Sequence, residues 1–121
     1  MVESETDDLP AGTVVFLSGD LMFASRIKAA AERAGVAFRL SGSLPQTETD
    51  AIGYVILDLS TRSALTPEIV SQCAQLCPDA KLIAYGPHVQ TGRLAAAKEA
   101  GIPVVMTRGQ FDAKLATLFY G

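Results

Sequence analysis

The stretch that decides the fold is Ile52-Gly53-Tyr54-Val55-Ile56-Leu57-Asp58, an almost continuous apolar run that ends in an acid. Runs of this length are typical of strands that are buried on both faces of a parallel sheet. A second run of the same kind, Val14-Val15-Phe16-Leu17, ends at Ser18-Gly19-Asp20. Parallel strands need crossover connections, so helical patterns are expected between the runs.

Helical and strand patterns do alternate along the rest of the chain. Asp20 predicts the cap of a first helix, and Thr66-Pro67-Glu68 predicts the start of another. Further strands are predicted over 36–40, 80–85 and 102–106, and a fourth helix over 91–100. A last helix is predicted from the apolar stripe Phe111, Leu115, Leu118 and Phe119.

Residues 41–50, between the second and third strands, are mostly polar and contain Pro45, so a full crossover helix hardly fits there. The second helix is therefore expected to be shortened or missing. Strand–helix alternation with right-handed crossovers predicts a single α/β domain. Its doubly wound parallel sheet should have five strands in the order 2-1-3-4-5.

Composition and charge narrow the class of protein. The chain has 121 residues, of which 49% are hydrophobic and 19% charged, as is usual for one globular domain. Residues 1–12 are acidic and lack an apolar period, so we expect a disordered tail there and the domain over 13–121. The net charge of −3, without any Lys/Arg run, argues against nucleic-acid binding. No apolar stretch suits a membrane span or a signal peptide, and a cytoplasmic location is expected.

The cysteines and the histidine do not form a recognisable site. Cys73 and Cys77 are four residues apart in a predicted helix, which favours small buried or half-buried thiols over a disulfide. With His88 as the one histidine, a four-ligand zinc site is disfavoured. His88 itself is expected in an exposed loop, since it has no nearby acid to orient it as a general base.

Polar residues follow four of the predicted strands at the edge where doubly wound sheets bind ligands. They are Ser18-Gly19-Asp20 after strand 1, Asp58 after strand 3, Tyr85-Gly86-Pro87-His88 after strand 4 and Thr107-Arg108-Gly109 after strand 5. Two carboxylates, an arginine and several hydroxyls should therefore converge there.

Residues 13–119 resemble the CheY-like receiver domains of response regulators, which have a flavodoxin-like fold. The segment Val55-Ile56-Leu57-Asp58-Leu59 matches their phosphoacceptor strand. The resemblance implies that Asp58 is the candidate phosphoacceptor. By strand register the receivers' Mg²⁺-binding acidic pair falls on Ser18-Gly19, and by helix register on Gly19-Asp20, so at most one acid of the pair survives.

The remaining positions depart from the family's pattern. Tyr85 and Gly86 stand where receivers have a switch Ser/Thr, and Arg108 with Gly109 replaces Lys-Pro. Arginine keeps the positive charge, but its fork is not interchangeable with the ammonium of lysine. Asp20 and Asp58 are expected to hold Mg²⁺ only weakly. Purely structural roles remain an alternative for these residues: Asp20 and Asp58 would then cap helices or turns, and Arg108 would form a surface salt bridge.

These departures imply a degenerate, pseudo-receiver type of stand-alone signalling domain, not an enzyme, with impaired or absent phosphorylation. It would act through a protein partner, a histidine kinase or a downstream signalling protein, at the face of helix 4, strand 5 and helix 5. A homodimer could use the same face. One alternative is a functional response regulator phosphorylated on Asp58 by a histidine kinase. The other, a small-ligand-binding flavodoxin-like domain, lacks a phosphate-cradling loop after strand 1.

Overall fold

The computed structural model describes residues 9–120; residues 1–8 of the predicted acidic tail lie outside this range. In chain order the elements are β1 (Thr13–Leu17), α1 (Leu21–Arg33), β2 (Phe38–Ser41), β3 (Ile52–Asp58), α2 (Leu59–Arg62), a 3-10 turn (Ser63–Leu65), α3 (Thr66–Leu76), β4 (Lys81–Gly86), α4 (Thr91–Glu99), β5 (Val104–Thr107) and α5 (Arg108–Lys114). The predicted strand over 52–58 is confirmed at both ends.

The sheet is parallel throughout and has the predicted strand order β2-β1-β3-β4-β5. Leu17 is paired with Leu57, and Asp58 is paired with Tyr85. This register brings the carboxyl ends of β1, β3 and β4 to one edge. The polar residues that follow these strands therefore lie together.

The connection between β2 and β3 has no helix in the described part of the chain, as predicted. Residues 42–51 form bends and irregular backbone. Leu44 is buried in the core, and the backbone N–H of Thr49 donates to the carbonyl of Leu76 at 2.7 Å. These contacts hold the connection on the sheet without a crossover helix.

Two apolar layers cover the sheet. The layer under α1 and α5 contains an aromatic cluster in which the Tyr85 ring stacks on Phe111, with centroids 4.7 Å apart, and on Phe16 at 6.2 Å. The layer under α3 and α4 is aliphatic. Cys73 and Cys77 belong to this second layer as free, buried thiols, as predicted.

Helix boundaries differ from the sequence prediction in two places. Helical structure begins at Leu59, because Asp58 caps a turn that leads through the 3-10 segment into α3. At the other end, α5 stops at Lys114, and Leu115 and Phe119 fill the core from successive turns closed by i→i−3 bonds. Such bonds tighten the end of a helix and shorten its regular part. No helix within residues 9–120 has the length and apolarity to cross a membrane.

Candidate functional site

Asp58 lies at the end of β3 and is 2% exposed. Its Oδ1 accepts a hydrogen bond from the backbone N–H of Ser60 at 2.9 Å, which caps α2. Its Oδ2 accepts from the hydroxyl of Ser18 at 2.7 Å and from the hydroxyl of Thr61 at 2.8 Å. Both carboxylate oxygens are thus occupied by donors from the protein.

The two hydroxyls also join the loops on either side of Asp58. Ser18 Oγ accepts from the backbone N–H of Asp20 at 2.9 Å, and Thr61 Oγ1 accepts from that of Gly19 at 2.9 Å. Each hydroxyl therefore accepts from the β1–α1 turn and donates to Asp58. A network in which every member is satisfied fixes its geometry, and this one links β1 to the β3–α2 turn.

Asp20 and Arg108 form the outer part of the site. Asp20 caps α1, accepting from the backbone N–H of Phe23 at 3.0 Å. Its other carboxylate oxygen is 3.5 Å from the guanidinium of Arg108, which also lies over the Phe23 ring, 4.6 Å from the ring centroid. The ion partner of Arg108 is therefore Asp20, at a half-exposed position where the pair contributes at most about 1 kcal/mol.

Tyr85 and Gly86 occupy the end of β4, where the switch residues were predicted. The Tyr85 hydroxyl is buried without a hydrogen-bond partner among residues 9–120. Burial and the negative charge of Asp58 raise the pKa of this phenol, so it is a neutral group at physiological pH. A Cβ added at Gly86 would lie 3.3 Å from the Cβ of Leu59. The lack of a side chain at Gly86 therefore allows β4 to pack closely against α2.

The structure adds two arginines that the sequence analysis did not single out. The guanidinium of Arg62 lies over Gly19 and Gly42, 3.5 Å and 3.7 Å from where their Cβ atoms would stand. Arg93 donates to the carbonyls of Leu59 and Ser60, both at 3.2 Å. Nothing in the spacing of these residues indicated that they meet at this edge.

The residues present do not fit a magnesium site in this arrangement. Mg²⁺ needs carboxylate oxygens with free lone pairs in octahedral order. Here Asp58 accepts from three donors and Asp20 faces Arg108, while the Arg62 guanidinium lies beside Gly19, where receivers carry an acid. Within residues 9–120 no three His, Cys, Asp or Glu side chains gather in a way that could hold a metal ion.

His88 lies exposed in the loop between β4 and α4, as expected from the sequence. Ser18 and Thr61 were missed as partners of Asp58. Thr61 stands three residues after Asp58, a spacing that allows a side chain to return to a cap. Ser18 is forty positions away in the chain and carried no local signal.

Comparison with known proteins gives a structural likeness without a sequence match. No family model and no curated protein matches this sequence. A receiver domain from Rhodospirillum rubrum superposes with a TM-score of 0.66 at 15% identity, covering 88% of this chain and 90% of that one. A Burkholderia pseudomallei response regulator with a phosphorylated aspartic acid, calcium ion and citrate gives 0.64 at 14% identity, covering 88% of this chain and 65% of that one.

A third structure is the receiver domain of a Saccharomyces cerevisiae response regulator, solved together with its histidine phosphotransfer protein. It gives a TM-score of 0.61 at 10% identity, covering 90% of this chain and 88% of that one. All three likenesses extend over 88–90% of this chain. The chain therefore has the fold of a response-regulator receiver domain.

Proposed function

We propose that this domain is a receiver-like signalling module that acts by binding another protein, without metal-dependent phosphorylation of Asp58. In this role Asp58 is a structural residue that joins β1 to the β3–α2 turn. The fold it shares with receiver domains supports a signalling role. The observation that carries the proposal is the occupation of both Asp58 oxygens by protein donors.

Phosphoryl transfer to a carboxylate needs an oxygen that is free to approach phosphorus in line, together with cationic stabilisation of the transferring group. Oδ2 accepts from both Ser18 and Thr61, and Oδ1 accepts from the Ser60 amide, so three of the about four lone pairs of the carboxylate are already used and only Oδ1 keeps one without a protein donor. An arginine can supply positive charge but cannot bridge acceptor and phosphoryl oxygens as a metal does. The local chemistry therefore disfavours transfer.

The face made by α4, β5 and α5 supports a role in protein binding. Ala97 is the buried residue of α4, with Leu94 half buried beside it, so most of this helix faces solvent. In the described sheet β5 is an edge strand, paired with β4 alone, and its Val104 is 42% exposed. Exposed edge strands and apolar side chains are features that partner chains use.

The phosphorylation part of the proposal is tested by incubating the purified chain with acetyl phosphate and Mg²⁺ and measuring its intact mass. We expect no addition of a phosphoryl group under conditions that label an intact receiver domain. Asp58→Asn serves as the matched variant. Stoichiometric, Mg²⁺-dependent labelling that disappears in Asp58→Asn would overturn the proposal and support phosphorylation on Asp58 by a histidine kinase.

The interaction part is tested with a tagged chain used as bait in extracts of its source cells, and by sedimentation for self-association. Val104→Asp places a charge on the α4–β5–α5 face. Leu21→Asp makes the same change at an exposed apolar residue on α1. We expect the partner, or the dimer, to be lost with Val104→Asp and kept with Leu21→Asp. Equal retention by both variants would exclude this face.

A further inference from the structure

A groove of about 590 Å³ lies at the end of the sheet opposite Asp58. It is lined by the first residues of β4 and β5, the end of α3 and the chain after α5. α5 stops at Lys114, and Val104 at the beginning of β5 is exposed to solvent in the groove. Its volume is within the range of about 300–1,000 Å³ that small-molecule sites occupy.

The walls of the groove are mainly apolar. Tyr54, Val104, Met106 and Leu118 line it on the side that α5 covers elsewhere. Cys73 and Cys77 line the opposite side as free thiols, and the hydrogen bond between them raises the pKa of Cys73, as does burial, while it lowers the pKa of Cys77.

The charged side chains that line the groove are Lys81 and Lys114, and no described acidic residue lines it. Lys81 Nζ lies 5.7 Å from the centroid of the Tyr54 ring. Neither lysine forms an ion pair with a side chain in the described range. In a chain with 13 acidic and 10 basic residues, an apolar groove whose charged groups are two unpaired cations is selective for negative charge.

We propose that this groove binds an amphipathic monoanion, an unbranched alkyl chain that carries one carboxylate. The alkyl chain lies against Val104, Met106 and Leu118, and the carboxylate is held by Lys81 and Lys114. The alkyl stems of the two lysines extend the apolar wall, while their ammonium groups stay in water. The apolar wall therefore matches the alkyl chain of the ligand, and the ammonium groups match its carboxylate. This site is separate from the Asp58 edge; it shares Val104 with the α4–β5–α5 face but does not require that face to bind a protein partner.

The proposal is tested by titrating the full chain in a calorimeter with decanoate below its micellar concentration. Decanol and decyltrimethylammonium have the same alkyl chain with a neutral and a cationic head. We expect saturable one-to-one binding of decanoate, weaker binding of decanol and none of the cation. Equal binding of all three would overturn the proposal, because it would show association with apolar surface alone.

Lysine variants inside and outside the groove test where decanoate binds. The double change Lys81→Gln with Lys114→Gln should weaken decanoate binding by about tenfold or more, since each charged hydrogen bond lost is a substantial part of the affinity. Lys98→Gln removes an exposed lysine from α4, outside the groove, and should leave the affinity unchanged. Amide shifts on decanoate addition should centre on residues 81, 104 and 114.

Shifts confined to the Asp58 edge would place the ligand elsewhere and refute the assignment. Sedimentation of the ligand-free chain provides a further check. A dimer that is broken by Lys114→Gln and by decanoate alike would show that a second copy of this chain is the occupant. That outcome would also overturn the proposal of a small amphipathic ligand.

Discussion

Replacing Asp58 by alanine distinguishes a structural carboxylate from a reactive one. If Asp58 serves the fold, Asp58→Ala should lower the free energy of unfolding. Hydrogen bonds to charged groups contribute about 1.5–3 kcal/mol each when they are shielded from water, and a helix cap contributes about 1 kcal/mol. Three such bonds end on Asp58.

The three bonds do not count equally. Ser18 is buried and cannot replace its acceptor with water, whereas Thr61 and Ser60 are exposed and can. Removing a buried charge also returns part of its desolvation cost. We therefore assign about 2 kcal/mol to the Ser18 bond and up to about 1 kcal/mol to the cap, which gives an expected loss of about 2–3 kcal/mol.

Urea unfolding followed by circular dichroism measures this loss. With a slope of about 1.5–2 kcal/mol/M for a domain of this size, the midpoint should fall by about 1–2 M. Asp58→Asn keeps one acceptor oxygen, so its urea midpoint should fall less than that of Asp58→Ala. Asp79→Asn, at an exposed aspartate, should change stability by no more than about 0.5 kcal/mol.

A result in which Asp58→Ala is as stable as the unmodified chain, or more stable, would refute this reasoning. It would mean that the desolvation cost of the Asp58 carboxylate, together with its repulsion by Asp20, outweighs the hydrogen bonds. An acidic pair under such repulsion would be relieved by a cation. The magnesium-dependent alternative would then regain its physical basis.

Two further sets of substitutions test the packing around the site. Tyr85→Phe should raise the free energy of unfolding by about 1 kcal/mol, because the buried hydroxyl has no partner among the described residues. Because the pKa of Tyr85 is raised in the folded state, its phenol ionises first in the unfolded chain. The stability of the unmodified protein should therefore be unaffected by this group below about pH 10 and should fall as the pH rises above it, so urea midpoints at alkaline pH should fall less in Tyr85→Phe. A less stable Tyr85→Phe would show that the hydroxyl is hydrogen-bonded in solution. Gly53→Ala should cost about 2 kcal/mol or more, because its Cβ would lie 3.0 Å from the Cα and carbonyl oxygen of Gly12, whereas Gly92→Ala, with nothing within 4 Å, should add about 0.5–1 kcal/mol. Equal effects of the two alanines would contradict the contact at Gly12.

The fold could be predicted because its strongest signals are local. The apolar run 52–58 and the caps and breakers around the helices act over a few residues, and sheet order then follows from general topology rules. The polar, proline-containing connection 41–50 excluded a crossover helix for the same reason. Leu115 and Phe119 were correctly predicted as core residues, although the helix that should carry them ends at Lys114.

The chemistry of the site was less predictable because it depends on pairs that are distant in the chain. The sequence placed Asp20, Asp58 and Arg108 at one edge, and the structure does bring them there. It could not show that Ser18 donates to Asp58, since that contact depends on the register between β1 and β3. Nor could it show that Arg62 covers Gly19.

The network stabilises the charge of the aspartate that lies buried at this edge. Two hydroxyl donors and one amide donate to its carboxylate, and hydrogen bonds to an ionised acceptor are the strong ones. The Arg62 guanidinium lies directly beside Gly19, where an added Cβ would be in van der Waals contact with it at 3.5 Å. Because the same hydroxyls accept from the β1–α1 turn, removing their bonds to Asp58 also disturbs that turn. Phosphoryl transfer to Oδ2 would have to displace the Ser18 and Thr61 hydroxyls from that oxygen, whereas a partner that recognises the intact surface needs no such step.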